Sequence, residues 1–169
     1  MRAAFIVNPV SGRQKSRGGS RLDLARGMVR DAGVAVEFAP TTGPGHAVQL
    51  SRAFASQGYE RVVVWGGDGT INEVAGPLIN SQTILGIVPG GSGDGLAHSL
   101  GLPRDVAAAG RAALTAPARG VDVGYFGERH FLNVAGVGFD AEVAARFNRR
   151  TTRGVRGYIS ECLKAVWSY

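Results

Sequence analysis

Four short apolar runs, at residues 5–7, 34–38, 62–65 and 84–88, alternate along the first half of the chain with segments whose apolar residues recur at helical spacing. The runs are rich in β-branched residues, and Gly, Pro or Asn bound each of them, so they read as strands. Between them, Ser20 followed by Asp23 resembles a capping box. Leu22, Ala25, Met28, Val29 and Ala32 then keep helical spacing until Gly33. Gly45 opens a second segment with Ala47, Leu50 and Phe54 on one face, ending near Gly58, and a third starts at Thr70 with Ile71, Val74, Ala75 and Leu78. Strands alternating with helices of this length predict right-handed crossovers and a mostly parallel sheet covered on both faces, a three-layer α/β fold.

After Pro103 the pattern changes. An alanine-rich helix is predicted over 105–114, Pro117 breaks it, and residues 121–125 and 131–135 predict a β-hairpin across Gly127-Glu128-Arg129. That hairpin would open a different, antiparallel layer. The domains are therefore read as 1–117 and 118–169, the second being an incomplete β-rich start followed by a helix over 155–167. The 26 glycines cluster at the ends of apolar runs without a repeat period, as punctuation between elements.

In open parallel sheets the ligand crevice lies beyond the carboxyl ends of the strands. Four successive strand ends carry Asn8-Pro9-Val10-Ser11-Gly12, Thr41-Thr42-Gly43, the run from Gly66 to Asn72, and the run from Pro89 to Asp94. Glycines, hydroxyls and amides in these positions are the chemistry of a phosphate-binding edge. Gly66-Gly67-Asp68-Gly69-Thr70-Ile71-Asn72-Glu73 is the most informative. Its glycines allow backbone N–H groups to approach a polyphosphate, and the helix that follows presents its positive end to the same anion. A carboxylate would repel phosphate there unless it engages a divalent metal or accepts a proton from an attacking hydroxyl, both roles in phosphoryl transfer. The plainer alternative is that Asp68 or Thr70 caps the helix from Ile71. The second glycine run, with Gly91, Ser92 and Gly93, follows the next strand and precedes Leu96-Ala97-His98. A phosphate contact through the Ser92 hydroxyl fits that position.

Together Asn8-Pro-Val-Ser-Gly12, the segment Gly66 to Val74, Pro89-Gly-Gly-Ser-Gly-Asp-Gly-Leu-Ala97 and Gly136-Val-Gly-Phe-Asp-Ala141 resemble, in this order, the diacylglycerol kinase catalytic-domain superfamily, which includes bacterial diacylglycerol kinases, broader lipid kinases and sphingosine kinases. The resemblance implies an ATP-dependent lipid kinase using ATP and Mg2+, with a nucleotide domain of the NAD kinase/diacylglycerol kinase type. By position it implies that Asn8, Pro9, Thr41, Gly66 to Glu73, Gly91, Ser92 and Gly93 border the nucleotide. Asp68 would be the base or metal-linked carboxylate, and Asp140 would face the lipid head group. Many bacterial relatives continue the second loop with Asn-Asp where this chain has Asp94-Gly95, a form nearer the sphingosine kinase style. The acidic catalytic residue and magnesium ligands that some relatives carry further along have no counterpart here, so the chain reads as truncated and the metal ligands stay unassigned.

A net charge of +6 and a pI near 10.2 favour polyanionic partners. Arg13, Lys15, Arg17 and Arg21 form one basic cluster and Arg146, Arg149, Arg150, Arg153 and Arg156 another. Each reads either as a solvated face or as an anion contact, and the second suits an anionic membrane surface. Nucleic acid is disfavoured because no aromatics interleave with them. Apolar stretches such as Val62-Val63-Val64-Trp65 fall far short of the roughly 20 residues of a membrane span. With no signal-peptide pattern and a single cysteine, Cys162, the expectation is a soluble cytoplasmic protein, peripheral at the inner membrane surface, with a homodimer left open. His46, His98 and His130 lack metal-ligand spacing, and there is no Gly-x-Ser-x-Gly elbow. The alternatives are an NAD kinase or other small-molecule kinase, since NAD kinases and phosphofructokinases share the Gly-Gly-Asp-Gly-Thr core, and a non-catalytic nucleotide-binding module.

Overall fold

Strands β1 (Arg2–Val7), β2 (Ala35–Pro40), β3 (Arg61–Gly66) and β4 (Ile84–Pro89) form one sheet in the order β2-β1-β3-β4, every neighbouring pair parallel. The computed structural model describes residues 1–12, 20–30, 33–136, 138 and 141. Asp140, Cys162, the arginines from 146 to 156, the helix expected over 155–167, and Arg13, Lys15 and Arg17 lie outside them. Contacts gather the chain into two units, residues 1–132 and 133–169. The architecture that follows is that of the first.

Strand periodicity of two divides the apolar residues between the sheet's faces. Phe5, Val7, Val63 and Trp65 pack with Ala25 and Val29 of α1 (Arg21–Val29) and with Ala109, Ala113 and Leu114 of α5 (Val106–Thr115). Ala4, Ile6, Val62 and Val64 pack on the other side with Ala47 and Phe54 of α2 (His46–Ser56) and with Ile71 and Val74 of α3 (Asp68–Ala75). The expected three-layer parallel fold is what forms. The central strand β3 is buried at all six positions, so its branched side chains each contribute on the order of 2 kcal/mol by burial.

Local signals set the helix starts. The capping box at α1 is present, Ser20 Oγ accepting from Asp23 N–H at 3.2 Å while Ser20 N–H donates back to the Asp23 carboxylate. Asp105 caps α5 by accepting from Ala108 N–H at 2.7 Å. The far end of α5 is held by a buried cation: Arg61 donates through Nη1 to Ala113 O at 3.0 Å and through Nη2 to Ala116 O at 2.6 Å. A guanidinium here satisfies carbonyls that lack helical partners and complements the negative end of the dipole. Arg61→Met is therefore expected to destabilise the fold by about 2–3 kcal/mol, since it removes hydrogen bonds to a charged donor. A chemical denaturation midpoint unchanged from the parent would refute that role.

Two details differ from expectation. Helix α3 begins at Asp68, two residues before Thr70, and a 3₁₀ turn (Gly76–Leu78) extends it. The hairpin is shorter and shifted: β5 (Gly124–Phe126) pairs with β6 (Arg129–Phe131), Phe126 opposite Arg129, around a two-residue turn. Gly127, with φ of +59°, suits such a turn, whose twist matches the strands, so Arg129 joins the ladder instead of the loop. The hairpin is a separate two-stranded antiparallel sheet, tied to α3 through His130 Nε2 and Asn72 O at 3.0 Å. Among the described residues no helix is long and apolar enough to cross a membrane.

Candidate active site

Strand order alone locates a crevice. β1 and β3 are neighbours, yet the chain leaves β1 for α1 on one face and leaves β3 for α3 on the other. Connections that part in this way open a gap at the carboxyl ends of the two strands. Asn8 spans that gap. Its N–H donates to Trp65 O at 2.9 Å, its Nδ2 donates to Thr70 Oγ1 at 2.8 Å, and its Oδ1 accepts from Val10 N–H at 3.1 Å. One side chain thus closes the turn after β1 and fastens it to the first turn of α3, while the following Pro9 is exposed.

The loops that meet here do so backbone against backbone. A Cβ on Gly12 would lie 2.5 Å from Gly90 O, and one on Gly91 would lie 2.7 Å from the Gly67 Cα. Gly90 N–H donates to Gly66 O at 2.9 Å, and Gly91 N–H donates to Asp94 Oδ1 at 2.8 Å. These contacts leave no room for a side chain at Gly12 or Gly91, and the first turn of α3 stands beside them with N–H groups that have no helical acceptor. Ser92 and Gly93 are exposed at the rim, and a Cβ on Gly93 would lie 3.8 Å from Asp68 Oδ2. Thr41 is buried, its N–H bonded to Val7 O at 2.9 Å, and Glu73 accepts from Gly45 N–H at 3.1 Å, drawing the start of α2 to α3. The Ile71 side chain is fully buried, so that residue offers the crevice only its backbone.

Asp68 does not cap its own helix, and neither does Thr70. Gly67, in extended conformation, is the N-cap, with no side-chain cap bond. The Asp68 carboxylate reaches across to α4 (Gly95–Ser99), Oδ2 accepting from Gly95 N–H and Oδ1 from Leu96 N–H, each at 3.0 Å. It stands at the positive ends of two helices at once, which favours its charge in both places. A carboxylate has about four lone-pair sites, so two remain for a cation or a hydroxyl. Among the described residues no three His, Cys, Asp or Glu side chains gather as a metal cage.

Sequence reasoning missed Arg21. Its sequence neighbours group it with a basic cluster, whereas it is buried beneath the loops, Nη1 donating to Asn8 O at 3.0 Å and to Ser11 Oγ, and Nη2 to Gly90 O at 3.3 Å. Its guanidinium lies 5.1 Å from the centroid of the Trp65 ring. Burial lowers its pKa and the charge of Asp94 partly opposes that shift. The signal was available: Arg21 stands four residues before Ala25 and eight before Val29, on the buried stripe of α1. A cavity of about 550 Å³ opens beside it, lined by Gly12, Gly91, Asp94 and His98 among others. A second, of about 540 Å³, follows the β4 edge along Leu85, Ile87 and Leu100, away from the glycine loops.

Residues 2–126, which contain this entire crevice, match the family model of the diacylglycerol kinase catalytic domain. The chain belongs to that family. Among similar proteins, one of Chromohalobacter salexigens named "Probable lipid kinase YegS-like" is 42% identical over 123 residues, which cover 70% of this chain and 40% of that protein. The diacylglycerol kinase of Bacillus subtilis is 33% identical over 140 residues, covering 81% and 46%. A solved diacylglycerol kinase structure from Bacillus anthracis superposes with a TM-score of 0.66 at 28% identity, covering 78% of this chain and 48% of that one. This diacylglycerol kinase-family chain therefore spans less than half the length of these relatives.

Proposed function

We propose that the protein to which this chain belongs transfers the γ-phosphoryl group of ATP to a hydroxyl of a lipid such as diacylglycerol or a long-chain base. The observation that carries this reading is the placement of Asp68, an exposed carboxylate pinned beside the free first turn of α3 at a rim made of glycine backbone. That rim suits a polyphosphate, held by N–H groups of Gly67, Asp68, Gly69 and Thr70, with Asn8, Thr41, Asn72, Glu73, Gly91 and Ser92 around it. Mg2+ bound to the phosphates would neutralise charge that develops on transfer, and the Asp68 carboxylate would supply it with a ligand.

In the reaction the lipid oxygen bonds to the γ-phosphorus, the bond to the β,γ-bridging oxygen breaks, and ADP leaves with that electron pair. The hydroxyl proton passes to Asp68. Asp140 is assigned to the lipid head group by its place in the family motif. The arginines from 146 to 156 suit contact with an anionic bilayer at its cytoplasmic face. Supplying the full-length protein with labelled ATP, Mg2+ and vesicles containing diacylglycerol or a long-chain base is expected to label the lipid. Transfer to NAD in place of either lipid would overturn the proposal.

A further inference from the structure

We infer that Arg21 is a positioning residue for the nucleotide, a buried guanidinium that sets the spacing of the β1 and β4 loops; the inference rests on the phosphate-binding reading above. Three acceptors from two loops converge on this one group: Asn8 O and Ser11 Oγ from the first, Gly90 O from the second. The floor beneath is Trp65 at the end of β3, so the guanidinium is enclosed by residues from three strand ends. Gly90 fits between them with nothing to spare, because a Cβ there would lie 2.7 Å from Trp65 Cδ1 and 3.2 Å from Arg21 Nη1.

The planar fork matters more than the charge. A lysine in the same place keeps a cation but presents its donors from a single nitrogen, and cannot hold two loops at a fixed separation. The capping box at Ser20 fixes where the fork begins, since Arg21 is the first residue of α1. Its own contacts go to backbone carbonyls and a serine hydroxyl below the rim, so it acts on a nucleotide through the loops.

The test uses the full-length protein and compares Arg21→Lys and Ser11→Ala with the parent by steady-state kinetics, varying Mg-ATP and lipid separately. Arg21→Lys is expected to raise KM for ATP about tenfold, with KM for lipid unchanged and kcat reduced far less than KM is raised. Ser11→Ala is expected to raise KM for ATP by a smaller factor and to add little in the double variant, because both changes loosen one shared contact. An Arg21→Lys protein with parental KM for ATP overturns the inference. If that variant does not fold, Ser11→Ala decides alone, and its parental KM would have the same meaning. A parent protein that binds no Mg-ATP would instead remove the function proposed above, and this inference with it.

Discussion

Asp68→Asn is expected to lower kcat by a factor on the order of 10² to 10⁴, the range that a positioned proton acceptor supplies. KM for Mg-ATP should rise by a smaller factor, because the amide is isosteric and the glycine rim is untouched while the charge offered to the magnesium is lost. A structural effect accompanies the chemical one. The asparagine oxygen can accept from Gly95 or Leu96, but its NH₂ group faces the other N–H donor, so α4 loses one cap bond and the balancing charge. The loss is expected to be about 1 kcal/mol in a denaturation experiment. The two readouts separate the roles. Reduced stability with turnover above a tenth of the parent would leave Asp68 as a brace for α4 and end its assignment as the base.

Gly12→Ala should be among the most damaging single-methyl additions to the glycine rim. The residue has φ of +71°, costly for an L side chain, and the new Cβ would sit 2.5 Å from Gly90 O, which belongs to backbone and has little freedom to yield. Strain and overpacking together predict a loss of about 2–4 kcal/mol. ATP affinity should fall with it because the β1 and β4 loops are forced apart. Gly27→Ala supplies the contrast. Gly27 lies exposed within α1, with nothing within 4 Å of a new Cβ, and the same substitution there should stabilise by about 0.5–1 kcal/mol. Paired thermal melts of the two variants would check both signs, and equal shifts would show that the close approach of Gly12 to Gly90 is unimportant.

The parallel sheet and its glycine-rich edge were legible because their signals are local. Branched apolar runs, the Ser20–Asp23 box and the Gly66–Thr70 turn each declare themselves within a few residues. The partners of Asp68 are 27 and 28 positions away, and no spacing rule reaches that far. The plainer alternative, a cap on α3, therefore points to the wrong helix: the carboxylate holds the start of α4. Arg21 shows a related failure. Its charge and its basic neighbours allow a solvated face or an anion contact, while burial of the helix stripe it shares with Ala25 and Val29 places it under the loops. The hairpin register turned on whether Arg129 belonged to the turn or the strand, a choice settled by the positive φ of Gly127 and absent from the alternation of side chains.

Because all four strands run the same way, the sheet has two rims with unequal freedom to evolve. The carboxyl rim is made of glycine backbones in mutual contact, where an inserted residue would separate loops that are closed by Asn8 and Arg21. The opposite rim holds connections such as the exposed Gln57-Gly58 turn and the exposed Asn80-Ser81-Gln82 stretch, which touch none of those loops. Lineages can lengthen these outer turns at small entropic cost, since loop closure depends only weakly on length. Descendants of this fold would therefore be expected to vary in size at one rim while the other keeps both its length and its glycines.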